Sequence, residues 1–177
     1  LTLGFITKIF FFAFNICGEI VSYSMGISSG QIFNPTFDNS ASSIEQYYLM
    51  MASLIFLALN GHHHFLAGLV KSFEMVPISM AGVNFLNGKQ IGMIVQEICV
   101  MGIKLSAPVL AAILILNLAM GILGRAVPQI NVLITSWPLN ILAGIGIMII
   151  AVPLFVYSTT MLLEDMTAVL FEALKTF

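Results

Sequence analysis

The chain has 177 residues, of which 59% are apolar and 8% charged, with a mean hydropathy of +1.05. A soluble domain carries roughly 25% charged residues, so this composition excludes a water-facing globular surface and identifies an integral membrane protein. The formal net charge of −2 is too small to point to nucleic acid or an anionic surface as a partner.

The first residue is Leu1 rather than Met, and the chain opens directly in apolar sequence without an n-region or cleavage site. Residues 1–17 therefore read as the continuation of a structure that begins earlier in a longer parent protein. Four apolar blocks follow in order. The first, 1–21, runs into SYSMGISSGQIFNP at 22–35, which is uncharged yet too rich in Ser and Gly for a stable helix. Irregular backbone at membrane depth persists only where protein or trapped water satisfies it. Within this stretch Gly26 and Gly30 allow positive φ, while Ser28 and Ser29 can bond locally without a helix.

The second block, 46–70, contains no Asp, Glu, Lys or Arg. At 1.5 Å per residue it would reach past the roughly 30 Å hydrocarbon thickness. Its His62, His63 and His64 are consecutive, so on a helix they point about 100° apart and do not converge on one metal. They read as polar helix-end or interfacial histidines. The third block, 91–124, holds Pro108 after the small residues Ser106 and Ala107. The fourth, 132–163, holds Pro138 and Pro153. Proline removes a backbone donor and clashes with the preceding turn. Blocks three and four are therefore expected to be bent hairpins packed among other helices, with a kinked lipid-facing helix as the alternative. Polar connections at 38–45, 71–89 and 125–131 are short, so 1–177 reads as one helical domain. Lys and Arg are too few to orient it by loop charge.

Three charges interrupt the apolar blocks: Glu19, Lys104 and Arg125. Each costs a few kcal/mol in lipid, so each is expected to face a partner or a wet interior, or to snorkel at a helix end. Glu19 can pair with Lys104 or Arg125, and the sequence does not choose. Cys17 and Cys99 read as small core residues. No hydrolase, metalloprotease or phosphate-loop motif is present, and no pattern calls for a cofactor or metal.

Four stretches carry a resemblance. Gly18 and Glu19 precede Met25, Gly26, Phe33 and Pro35. Leu57, Asn60, Gly61, His62 and His63 precede Ser72, Phe73 and Pro77. Ala107 and Pro108 precede Asn117, Leu118 and Gly121. Arg125, Pro128, Gln129 and Asn131 precede Pro138, Leu139 and Gly144. Together they cover nearly the whole chain, which resembles the FliR/SctT proteins, export-gate components of bacterial flagellar and virulence type III secretion. It departs from the family pattern at Ser24 (Gln is common), Asn34 (Asp) and Ser136-Trp137 (Gly-Phe).

The resemblance implies an all-α export-gate fold of long, proline-kinked helical hairpins, with this chain as the C-terminal two-thirds or so of a FliR-like protein in the bacterial inner membrane. It implies that one copy assembles with several FliP-like and FliQ-like subunits, that a FlhB-like switch protein docks at the entrance, and that unfolded substrates pass through the centre. The loop of Met25, Gly26, Ile27, Ser28, Ser29, Gly30, Ile32, Phe33, Asn34 and Pro35 would plug that channel. Its apolar side chains would seal it, Met contacts being weak and adaptable, and Pro35 would end it. Glu19, Lys104 and Arg125 would be buried charges between helices or subunits. Pro108, Pro138 and Pro153 would kink helices, and Pro128, Gln129 and Asn131 would form a signature turn. Gly102, Gly121, Gly144 and Gly146 would allow close helix approach. Two other classes fit the composition: a self-sufficient small-molecule or ion transporter, and a purely structural membrane subunit.

Overall fold

The structure, a computed structural model, describes residues 2–27, 42–75, 88–127, 129 and 131–175. Every regular element among these residues is a helix: α1 (Thr2–Met25), α2 (Ser43–Ala58), α3 (Gly61–Met75), α4 (Gly88–Ala126) and α5 (Val132–Lys175).

Helix α1 is the centre of the packing. Ile9, Phe10, Ala13, Phe14, Cys17, Val21 and Met25 recur at helical spacing and are buried, whereas Phe12, Glu19 and Tyr23 face outward. The buried stripe meets α2, α4 and α5. Aromatic rings join these elements: Phe14 lies 5.4 Å from Phe155 of α5, Phe10 lies 5.8 Å from Phe56 of α2, and Tyr48 of α2 lies 5.3 Å from Phe155. Helix α4 contributes Ile98, Leu105, Val109 and Ile113 from one face. At Gly102 the approach is so close that a Cβ would sit 2.8 Å from Ile16 and 3.1 Å from the Ala13 carbonyl. Fully burying one Phe or Leu side chain contributes about 1.5–3 kcal/mol, so this cluster supplies the cohesion that the thin charged surface does not.

The block 46–70 is not one straight span. It breaks at Leu59-Asn60, and the axes of α2 and α3 diverge by 69°. Asn60 adopts φ 54, a left-handed conformation that Asn accepts because its short amide bonds locally. Its N–H donates to the Leu57 carbonyl at 3.1 Å, and its carbonyl accepts from the His63 N–H at 2.9 Å, which starts α3. Gly61 follows because any Cβ there would lie 2.6 Å from the Phe56 ring.

Blocks three and four each form one helix, and the hairpin lies between them. Helices α4 and α5 run unbroken through Pro108, Pro138 and Pro153. One proline removes one helical hydrogen bond at about 3 kcal/mol. Ending the helix instead would leave several backbone groups unpaired in apolar surroundings, which costs more. Residues 95–126 and 134–164 are each long and apolar enough to cross a membrane. Much of their surface is turned away from the rest of the chain, with Leu114, Ile122, Leu142 and Ile150 among the exposed side chains. Cys17 is buried as expected from its surroundings. Cys99 is exposed, because it lies on the outer side of α4 while Ile98 beside it takes the core position.

Candidate functional site

The uncharged stretch after α1 has a built stem. Gly26 adopts φ 80 and its N–H donates to the Tyr23 carbonyl at 3.0 Å, while the Ile27 N–H donates to the Ser22 carbonyl at 3.2 Å. This pair of bonds is the Schellman arrangement, in which a left-handed glycine closes the helix and satisfies its last carbonyls. A side chain on Gly26 would be strained there. Ile27 turns back and packs against the core cluster.

On the other side of residues 28–41 the chain re-enters next to where it left. The Ser22 and Ser42 hydroxyls share a hydrogen bond of 2.6 Å. Four residues earlier on the same face, a Cβ on Gly18 would lie 2.6 Å from Cα of Glu45. Next to Gly18 on α1, the Cys17 thiol is hydrogen-bonded to the Tyr48 hydroxyl. Gly18, Ser22 and Met25 thus form a stripe whose small residues bring α1 and α2 into near-backbone contact. Met25, fully buried, lies over Gly144 of α5, where no Cβ has room.

Of the expected plug residues, Met25 is therefore an interior anchor, and Gly26 and Ile27 are half-buried parts of the stem. Ser28, Ser29, Gly30, Ile32, Phe33, Asn34 and Pro35 lie outside the described residues. Ser22, Ser42 and Glu45 are stem residues that no motif in the sequence marks. The available signal was the i, i+4 spacing of Gly18 and Ser22 in an otherwise large apolar helix.

The three charges do not meet. Glu19, Lys104 and Arg125 are each exposed, and among the described residues none of them forms an ion pair. A Glu19 pair within the chain is thus absent from the described residues. Glu19 lies on the face of α1 opposite the core, beside the exposed Phe12 and Tyr23. Arg125 occupies the last turn of α4, where a cation is favoured by the helix dipole.

The signature turn does bring residues together. Asn131 caps α5: its Oδ1 accepts from the Ile134 N–H at 3.5 Å, and its carbonyl accepts from the Thr135 N–H at 3.1 Å and the Thr135 hydroxyl at 3.0 Å. Gly124 leaves space for Val132 to close the hairpin. Gln129 is exposed in the turn, and Pro128 lies outside the described residues. Farther along the hairpin, Asn140 Nδ2 donates to Asn117 Oδ1 at 3.1 Å. Of the histidines, the His62 and His63 rings lie 4.2 Å apart, tilted by 37°, at the start of α3, and His64 is exposed.

Comparison with known proteins places the chain in one family. The family model described as "Bacterial export proteins, family 1" matches residues 1–166. The chain is 33% identical over 153 residues to the flagellar biosynthetic protein FliR of Bacillus subtilis, covering 85% of this chain and 59% of that protein. It is 32% identical over 157 residues to FliR of Escherichia coli, covering 87% and 59%. It is 28% identical over 162 residues to FliR of Aquifex aeolicus, covering 92% and 62%. The chain thus spans between 59% and 62% of the length of these three relatives.

Proposed function

The chain belongs to the bacterial export proteins, family 1, and from that membership we propose that it is a subunit of a flagellar or type III secretion export gate. It helps to form, and with its own loop to plug, the channel through which unfolded proteins cross the bacterial inner membrane. Its partners in this reading are FliP-like and FliQ-like membrane subunits in a hetero-oligomer, with a FlhB-like switch protein at the entrance.

The observation that carries the reading is the stem. Ile27 and Ser42 mark the two described ends of one segment, and the Gly26 turn, the Ser22–Ser42 bond and the Gly18–Glu45 contact hold those ends side by side. A plug that yields to a passing polypeptide and then recloses needs a fixed base, because ordering its ends on each cycle would cost conformational entropy of roughly 1–2 kcal/mol per residue. Exposed apolar faces on α4 and α5 support membership of a larger assembly, since lipid or neighbouring subunits must cover them. Glu19, Lys104 and Arg125, unpaired among the described residues, are groups that neighbouring subunits would neutralise.

The test is native mass spectrometry of the tagged chain, extracted gently from cells that express it with its genomic neighbours. One copy of this chain with several copies of two smaller membrane proteins is the expected result. A monomer or a homo-oligomer overturns the reading. Deleting 27–30 in the same assembly is expected to raise ion leak, and an unchanged leak and unchanged secretion would remove the plug from it.

A further inference from the structure

We propose that the Asn117–Asn140 amide pair is a polar docking point on the α4–α5 hairpin for a membrane helix of another subunit, one that presents a hydrogen-bond acceptor oxygen. The inference rests on the export-gate reading for the existence of that subunit. The amide geometry argues the rest.

Asn140 is 5% exposed and spends its amide N–H on Asn117 Oδ1 at 3.1 Å. That bond fixes the Asn117 side chain with its oxygen turned toward α5. Asn117 is itself exposed, and among the described residues its own amide nitrogen has no acceptor. The reciprocal bond is not made, and Asn140 Oδ1 remains buried without a partner. The free donor stands inside residues 95–126, a membrane-crossing candidate, between the exposed Leu114 and Leu118. Hydrocarbon offers it no acceptor, and an unpaired polar group there costs free energy that a protein helix can recover. One turn on, at Gly121, a Cβ would meet nothing within 4 Å. A second backbone can therefore approach close enough for an Asn, Gln, Ser or Thr oxygen to reach the amide. Acyl chains would fill the notch without satisfying the donor.

The test uses the full chain in its native assembly, with a photo-crosslinking amino acid at Leu118. An adduct with a different membrane subunit is expected. Asn117→Leu should lower its yield about three- to fifteenfold, the range that losing one interhelical hydrogen bond in a membrane produces. Asn117→Gln should restore part of it. Asn140→Leu keeps the Asn117 donor and should lower the adduct less than Asn117→Leu. Equal losses from both leucine variants would make the pair a hairpin staple only and overturn the proposal. So would an adduct with a second copy of this chain, or none while the other export subunits still co-purify. Failure to recover any other subunit would overturn the export-gate reading first, and this inference with it.

Discussion

Replacing Gly18 with alanine drives a methyl group into the backbone of α2. The new Cβ would stand 2.6 Å from Cα of Glu45, where carbon atoms prefer about 3.5–4.0 Å. Backbone cannot swing aside as a side-chain tip can, so α1 and α2 must separate by roughly 1 Å at this level. Separation of that size stretches the 2.6 Å Ser22–Ser42 bond beyond the roughly 3.0 Å limit of an O–H···O hydrogen bond. Overpacking of this kind costs about 1–3 kcal/mol, and the lost hydrogen bond adds about 1 kcal/mol. Alanine's better helix propensity returns about 1 kcal/mol. The expected net loss is thus about 1–3 kcal/mol, or about 2–12 °C in the midpoint of thermal unfolding for a chain of this size. The measurement is the temperature at which the detergent-extracted protein loses its monodisperse elution peak. Gly121→Ala is the matched comparison, because a Cβ there meets nothing within 4 Å, and it should be neutral or slightly stabilising. Equal midpoints for the two variants would mean that α1 and α2 do not touch at Gly18, and the account of the stem would be wrong.

Gly26→Val places a branched side chain at φ 80 and should cost about 1–2 kcal/mol; in the intact assembly it should raise ion leak, read by dye influx into vesicles, before it lowers complex yield. Phe14→Ala removes a fully buried ring that contacts Phe10 and Phe155 and should destabilise by about 3–5 kcal/mol, seen as near-complete loss of the folded protein on extraction. Asn131→Ala removes the cap on α5, but the 3.5 Å bond is long, so the loss should fall near the low end of the roughly 0.5–2 kcal/mol range for such caps, measured by the same thermal assay. Glu19→Ala alters only an exposed side chain within this chain, so its own stability should move by less than about 0.5 kcal/mol; co-purification with partner subunits should nevertheless fall, and unchanged recovery would mean that no neighbour pairs with Glu19.

Much of the architecture is legible in the residues themselves. Long runs without charge force helices, because in an apolar medium every backbone group must find its partner within its own segment. The hairpin turn at 127–131 is readable too, since Arg125 favours a helix C-terminus and Asn131 a helix N-terminus. Proline was the misleading signal. Pro108, Pro138 and Pro153 read as places where a helix turns back, yet α4 and α5 continue through all three, because a local defect of one bond does not outweigh the cost of unpairing a whole helix end. The break came instead at Asn60 and Gly61, where a left-handed residue ends one helix and a glycine fits beneath Phe56.

The sequence by itself determined that this is a helical membrane protein, which stretches of the chain are apolar enough to be helical, and which family pattern its residues follow. It did not determine the break at Asn60 or how far α5 continues past the fourth block. Composition and spacing are sums over local properties, and those properties act wherever the chain goes. Contacts between distant positions were decided only by the tertiary structure. Nothing local in Gly18 specifies Glu45 as its neighbour, nothing in Ser22 specifies Ser42, and nothing in Met25 specifies Gly144. Each pairing depends on the angle and register at which two helices pack, which side-chain shapes along both helices set together. For the same reason Glu19, Lys104 and Arg125 could be recognised as out of place in the sequence, while only the packing of α1, α4 and α5 revealed that this chain turns all three outward.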